Sequence, residues 1–175
     1  MNNLFDIACN FSSDRFDKDL DAVIERAKIN NVNKFLIVSA SLNDFEKTYN
    51  IYKSNLKEAF FSIGTHPHHA DEINEEQIKN MRRLVGEHNP SCIGETGLDF
   101  FRNLSSHDEQ TFAFQEQIKI AIDFNKPLYL HQRDSHSEFM KIISEYKDYL
   151  PKSVVHCFTG TQSELENYLD LGFYI

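Results

Sequence analysis

The 175-residue sequence predicts an α/β fold on a parallel sheet, either an open doubly wound sheet or a (β/α) barrel. Two observations carry that expectation. Short apolar runs alternate with amphipathic stretches along the whole chain, and strand–helix alternation repeated this often places successive strands parallel. No linker, low-complexity tract or repeat interrupts the pattern, so residues 1–175 read as a single domain.

The apolar runs, in order, are LFDIAC at 4–9, KFLIVS at 34–39, FFSIG at 60–64, SCIGE at 91–95, PLYLH at 127–131, SVVHC at 153–157 and GFYI at 172–175, seven strand candidates in all. Between them, Leu20, Val23, Ile24 and Ala27 form one helical stripe, Phe114, Ile118, Ala121 and Ile122 a second, and Phe139, Ile142, Ile143 and Tyr146 a third. Three helix starts carry a capping-box pair: Ser106 with Glu109, Ser135 with Glu138, and Thr161 with Glu164. The sequence stops inside the apolar run LGFYI, whereas a complete eight-unit barrel takes ~250 residues. The expectation is therefore a barrel lacking its C-terminal part, or one whose edge a partner chain covers.

Composition narrows the function. Hydrophobic residues make up 41% of the chain, ample for a core, and the formal charge of -9 excludes a broad cationic platform for nucleic acid, though not a local phosphate site. Cys9, Cys92 and Cys157 lie far apart without a CxxC pair, which reads as reduced thiols in a cytoplasmic protein. A signal-peptide pattern is missing and no apolar run approaches the ~18 residues of a membrane span, so no membrane partner is expected.

In both parallel architectures, function collects at the C-terminal ends of the strands. Asp6 lies in the first strand candidate, His66 just after the third, Glu95 at the end of the fourth, His131 at the end of the fifth and His156 near the end of the sixth. A carboxylate in an apolar strand requires a partner or a metal. Glu95, His131 and His156, delivered by three successive units, form a plausible divalent-metal ligand set. A lone histidine in such a run is more often a hydrogen-bonded core residue, and it is the joint placement that favours the metal. His66 either orients substrate or a metal-bound water, or is a loop histidine made rigid by Pro67. Asp6 either touches a second metal, supports a ligand or is a buried acceptor. Arg133 and Asp134 sit at the rim for phosphate and a cation respectively, or form an ordinary salt bridge. Arg102, with Asn103, either reaches phosphate or belongs to a solvated loop. Phe100, Phe101 and Phe158 lie where they can stack on a base. His68 and His69 read as exposed loop residues, and His88, His107 and His136 have no comparable placement.

Taken together, GTHPHHA, CIGETGLDFFRN, PLYLHQRDSH and VVHCFTGT resemble, in order and spacing, the TatD family of metal-dependent hydrolases, and especially its deoxyribonuclease branch. The resemblance runs from Phe5 to Ile175. It implies a TIM (β/α)8-type barrel of the metal-dependent hydrolase superfamily, incomplete here, with about seven strands present and the last missing. It further implies Glu95, His131 and His156 as metal ligands and His66 as a catalytic histidine, with a divalent ion, Mg2+ favoured and Mn2+ or Zn2+ suitable. The implied activity is a 3'-5' exonuclease on single-stranded DNA or DNA ends, extending to RNA. The alternatives are a superfamily hydrolase of another ester, amide or aminoacyl-tRNA bond, or an inactive truncated fragment. Three departures stand out. Ala8 and Asn10 occupy the two histidine positions of the usual Asp-x-His-x-His opening, Gln132 replaces a common cysteine, and the aspartate of the last barrel strand has no counterpart.

Overall fold

The structure, a computed structural model, describes residues 3–55 and 57–175. Strands and helices alternate as the pattern requires: β1 (Leu4–Cys9), α1 (Leu20–Ile29), β2 (Val32–Ile37), α2 (Phe45–Ser54), β3 (Ala59–Ile63), α3 (Glu75–His88), β4 (Cys92–Asp99), α4 (His107–Asp123), β5 (Leu128–Arg133), α5 (His136–Tyr146), β6 (Val154–Val155) and α6 (Gln162–Asp170). All six strands are parallel and lie in chain order, β1 to β6, in one curled sheet, the arrangement of an incomplete (β/α)8 barrel.

The expected run at 172–175 is not a strand among the described residues. Val155 N–H donates to the Tyr174 carbonyl and Tyr174 N–H to that of Ser153, but only the single bridge Val154–Tyr174 forms beside β6. One bridged residue is too little ladder to define a strand. The fourth run, by contrast, continues four residues past its expected end, so Glu95 sits midway along β4.

Alternation along each strand divides the sheet into two faces. Phe35 and Ile37 of β2 join the main core under the helices, while Leu36 and Val38 join a smaller cluster with Cys92 and Tyr129 on the other face. The stripe on α4 supplies Phe114 and Ile118 to the main core, where the Phe114 ring stacks on Phe139 of α5 at 5.1 Å. Two of the three expected capping boxes are formed, Ser106 with Glu109 and Thr161 with Glu164. The third is not. The Ser135 hydroxyl is buried and donates to the Leu98 carbonyl at 3.1 Å, a tertiary bond that takes it away from the helix end.

Candidate metal centre

Four expected side chains meet on the inner face of the sheet. Glu95 Oε1 lies 2.9 Å from His131 Nδ1, 2.7 Å from His156 Nε2 and 3.3 Å from His66 Nε2. His66, Glu95 and His131 each bring one polar atom to a group lying within 4.8 Å of one another, and His156 joins through Glu95. His66, Glu95 and His156 open onto a cleft of about 340 Å³ that is also lined by Ala8, Asn10, Val38, Ala40, His68, His69 and Tyr129.

The backbone places these groups by close approach and by clamps. Gly97 of β4 has φ +142°, and a Cβ there would collide with the His131 carbonyl oxygen. A side chain at this position would push β5 away from Glu95. His66 leads into the 3-10 turn Pro67–Glu72, and its Nδ1 accepts the His68 N–H at 3.1 Å. The preceding residue is held from α4: buried Gln117 accepts the Thr65 N–H (2.8 Å) and donates to the Thr65 carbonyl (3.0 Å). Gln110, about two helical turns earlier, does the same for Asp99, at 2.8 and 3.1 Å.

Asp99 was not anticipated as a site residue. Its side chain is only 3% exposed, and its Oδ2 lies 2.7 Å from His68 Nε2 and 3.3 Å from His131 Nε2. His68, expected to be an exposed loop residue, is therefore tied into the site, because the turn that begins at Pro67 folds it back over β4. His69 does remain exposed, paired with Glu72 at 3.1 Å. The signal for Asp99 was present in the sequence: it stands four residues after Glu95, in a segment apolar enough to be strand throughout.

Charge balance shows what this donor set lacks. Burial raises the Glu95 carboxyl, but hydrogen bonds to His131, His156 and His66 outweigh it and hold the group well below the ordinary carboxylate range, hence ionised. Burial lowers His66 below the usual imidazole value, so it is neutral near pH 7. Because its Nδ1 accepts the His68 N–H, its one proton is on Nε2, facing Glu95. Asp99 is likewise ionised: burial raises it, and the Arg102 N–H and His68 lower it further than burial lifts it. His131 stands between the two carboxylates, its Nδ1 2.9 Å from Glu95 Oε1 and its Nε2 3.3 Å from Asp99 Oδ2. His66 Nε2 lies 3.3 Å from both Glu95 Oε1 and His131 Nδ1. A divalent cation held here would offset the two ionised carboxylates, and a carboxylate with its neighbouring imidazoles is a suitable donor set for one.

The remaining sequence candidates lie outside this cluster. Asp6 is exposed, its Oδ1 accepts the Ala8 N–H at 3.0 Å, and its other neighbour is the buried Cys9 thiol rather than Glu95 or the imidazoles. Ala8 and Asn10 line the cleft without an imidazole between them. Arg133 ends β5, with its Nε 3.8 Å from Asp134, and exposed Arg102 forms no ion pair among the described residues. Phe158 is half-buried, packed against the core and edge-on to Tyr168. His88, His107 and His136 pair with Phe45 and Tyr49, with Phe100, and with Tyr168 respectively, away from the metal centre.

Comparison with known proteins agrees with this arrangement. Residues 5–175 match the family described as TatD related DNase. A protein of Cronobacter sakazakii named 3'-5' ssDNA/RNA exonuclease TatD is 38% identical over 98% of this chain, and one of the same name from Pantoea ananatis is 36% identical over 98%. The chain spans 65% and 66% of the length of these two relatives. Among solved structures, a hydrolase TatD family protein from Entamoeba histolytica superposes with a TM-score of 0.89 at 28% identity, over 99% of this chain and 64% of that one. YJJV, a TatD homolog from Escherichia coli, shares the fold with a TM-score of 0.88 at 24% identity, over 97% of this chain and 66% of that one. With the sequence match running from the first strand to the last residue and the fold agreeing along the same length, the chain belongs to the TatD-related DNase family.

Proposed function

We propose that this chain is a cytoplasmic, metal-dependent phosphodiester hydrolase, a 3'-5' exonuclease acting on single-stranded DNA or DNA ends and also on RNA, and that residues 1–175 are one domain. The observation that carries the reading is the single Glu95 oxygen facing three imidazole nitrogens at 2.7 to 3.3 Å on the inner face of the sheet. The names of the relatives support phosphodiester chemistry, one continuous sheet supports one domain, and three free cysteines support a reducing compartment. No helix among the described residues is long and apolar enough to cross a membrane.

In this reading Glu95, His131 and His156 would hold the divalent ion, Mg2+ in the first place, with Mn2+ or Zn2+ able to replace it. When bound, such an ion lowers the pKa of water toward neutrality and offsets charge growing on phosphorus. The chain's own groups do the rest. With an ion bound, Asp99 would accept a hydrogen bond from His131 Nε2–H and so keep the Nδ1 lone pair turned inward. His66 presents Nε2–H to the centre, a proton donor suited to a substrate oxygen or leaving group. Arg102 and Arg133 stand at the rim to receive phosphate oxygens.

The test is degradation of end-labelled single-stranded DNA in Mg2+ by the wild-type chain and by Glu95→Ala, alongside calorimetric titration of each with Mn2+. The reading expects loss from the 3' end that EDTA abolishes, and neither turnover nor Mn2+ binding in a variant whose circular dichroism is unchanged. Equal turnover in the two proteins would remove Glu95 from the chemistry and overturn it.

A further inference from the structure

The loop that follows β4 treats its two adjacent phenylalanines in opposite ways. Phe100 packs against the core and stacks on His107, with ring centroids 3.7 Å apart and planes at 12°. Phe101 is 60% exposed. A single exposed apolar side chain is ordinary on a protein surface and by itself points to nothing. Three further observations distinguish this one.

First, its position is fixed. Asp99 Oδ1 accepts the N–H groups of Phe101 (3.1 Å) and Arg102 (2.8 Å), and Phe100 N–H donates to the Arg133 carbonyl at 2.9 Å. Second, that position is beside the metal centre. The other oxygen of the same carboxylate faces His68 and His131, and Phe101 lies only two residues farther, at most about 7.6 Å of backbone. Third, a cation accompanies the ring. The Arg133 guanidinium carbon lies 4.8 Å from the Phe101 centroid, and its side chain remains 44% exposed.

A fixed aromatic face with a partly exposed guanidinium is the pairing that single-stranded nucleic acid requires, a ring for the base and a cation for the phosphate. In a chain of formal charge -9, such a local device also answers how a polyanion is held without a basic surface. We propose that Phe101 is the stacking platform for a nucleobase of the substrate, with Arg133 bracing the ring and offering N–H donors to the adjoining phosphate, an inference that rests on the nuclease reading above. Every base has a π face, so the platform accepts any sequence.

The chain contains no tryptophan, so F101W introduces a single fluorescent reporter at the site. Binding of a fluorescein-labelled oligothymidylate, and of an abasic oligonucleotide of equal length and charge, is measured by anisotropy in EDTA and again in Ca2+. F101A is expected to weaken the oligothymidylate about fivefold or more and to leave the abasic strand unchanged. F101W is expected to restore affinity, with its indole quenched by the oligothymidylate and not by the abasic strand. Wild-type affinity in F101A with an unquenched indole in F101W overturns the platform and leaves the nuclease reading intact. Equal losses on both strands in F101A mean a damaged loop and overturn it as well. Failure of the wild-type chain to bind oligothymidylate under either condition overturns the nuclease reading, and the platform with it.

Discussion

Asp99 shows how much one side chain can organise. Its two oxygens face four groups: the N–H groups of Phe101 and Arg102 on one side, His68 and His131 on the other. An asparagine cannot reproduce this, because its amide nitrogen must face either two backbone N–H groups or two imidazole nitrogens. Asp99→Asn is therefore expected to lower Mn2+ affinity roughly 10- to 100-fold, the usual cost of losing the group that orients a ligating histidine. Calorimetric titration checks this, and unchanged affinity would mean that His131 is oriented without Asp99. Glu95, His131 and His156 were legible as candidates because each is a polar residue set in an apolar run of the sequence. His68 was not, since nothing in GTHPHHA says which of three histidines the turn will fold inward. That choice follows from the 3-10 geometry started by Pro67 and from the Asp99 carboxylate waiting across the cleft.

Among the elements, α4 does more than cover the sheet. Gln110 and Gln117 lie seven residues apart on its buried face, among Ala113, Phe114 and Ile118, and each satisfies both backbone polar groups of one residue beside the site, Asp99 at the end of β4 and Thr65 after β3. Two polar residues on an otherwise apolar helix face were the visible signal, and only the structure shows what they reach. Gln117→Leu fills similar space but strands the Thr65 N–H and carbonyl, which should cost about 1–3 kcal/mol for each group left unpaired. The measurement is a urea midpoint at constant m value, and turnover should fall with it as the His66 loop loosens. Helix capping gives a second expectation. Ser106→Ala removes a formed capping box and should cost about 1 kcal/mol. The same box pattern at Ser135 is not formed, and the difference is one of competition: a hydroxyl close to the Leu98 carbonyl in a dry interior is worth more there than at a helix end.

At the scale of the whole molecule, curling of the six-stranded sheet separates the cysteines by environment. Cys9 and Cys92 are buried while Cys157 is exposed. Burial pushes the Cys92 thiol up to about 12 and, with Asp6 nearby, raises that of Cys9 further still. In the native protein one thiol should react quickly with a disulfide reagent near pH 8, and the other two only at the rate of unfolding. Three thiols reacting together would contradict this burial pattern. The same curvature brings β3, β4, β5 and the turn after β6 to one cleft, although His66 and His156 are ninety residues apart in the chain. The sequence by itself determined the strand–helix alternation, the parallel sheet, and the polar residues eligible for the centre, because periodicity and polarity are local properties. Tertiary structure alone decided that the run ending in GFYI makes one bridge, that Asp6 stays outside, that His68, Asp99 and two glutamines complete the site, and that Phe101 faces outward while Phe100 does not. Those outcomes depend on which groups compete for the same partner across strands, and that competition exists only once the chain has folded.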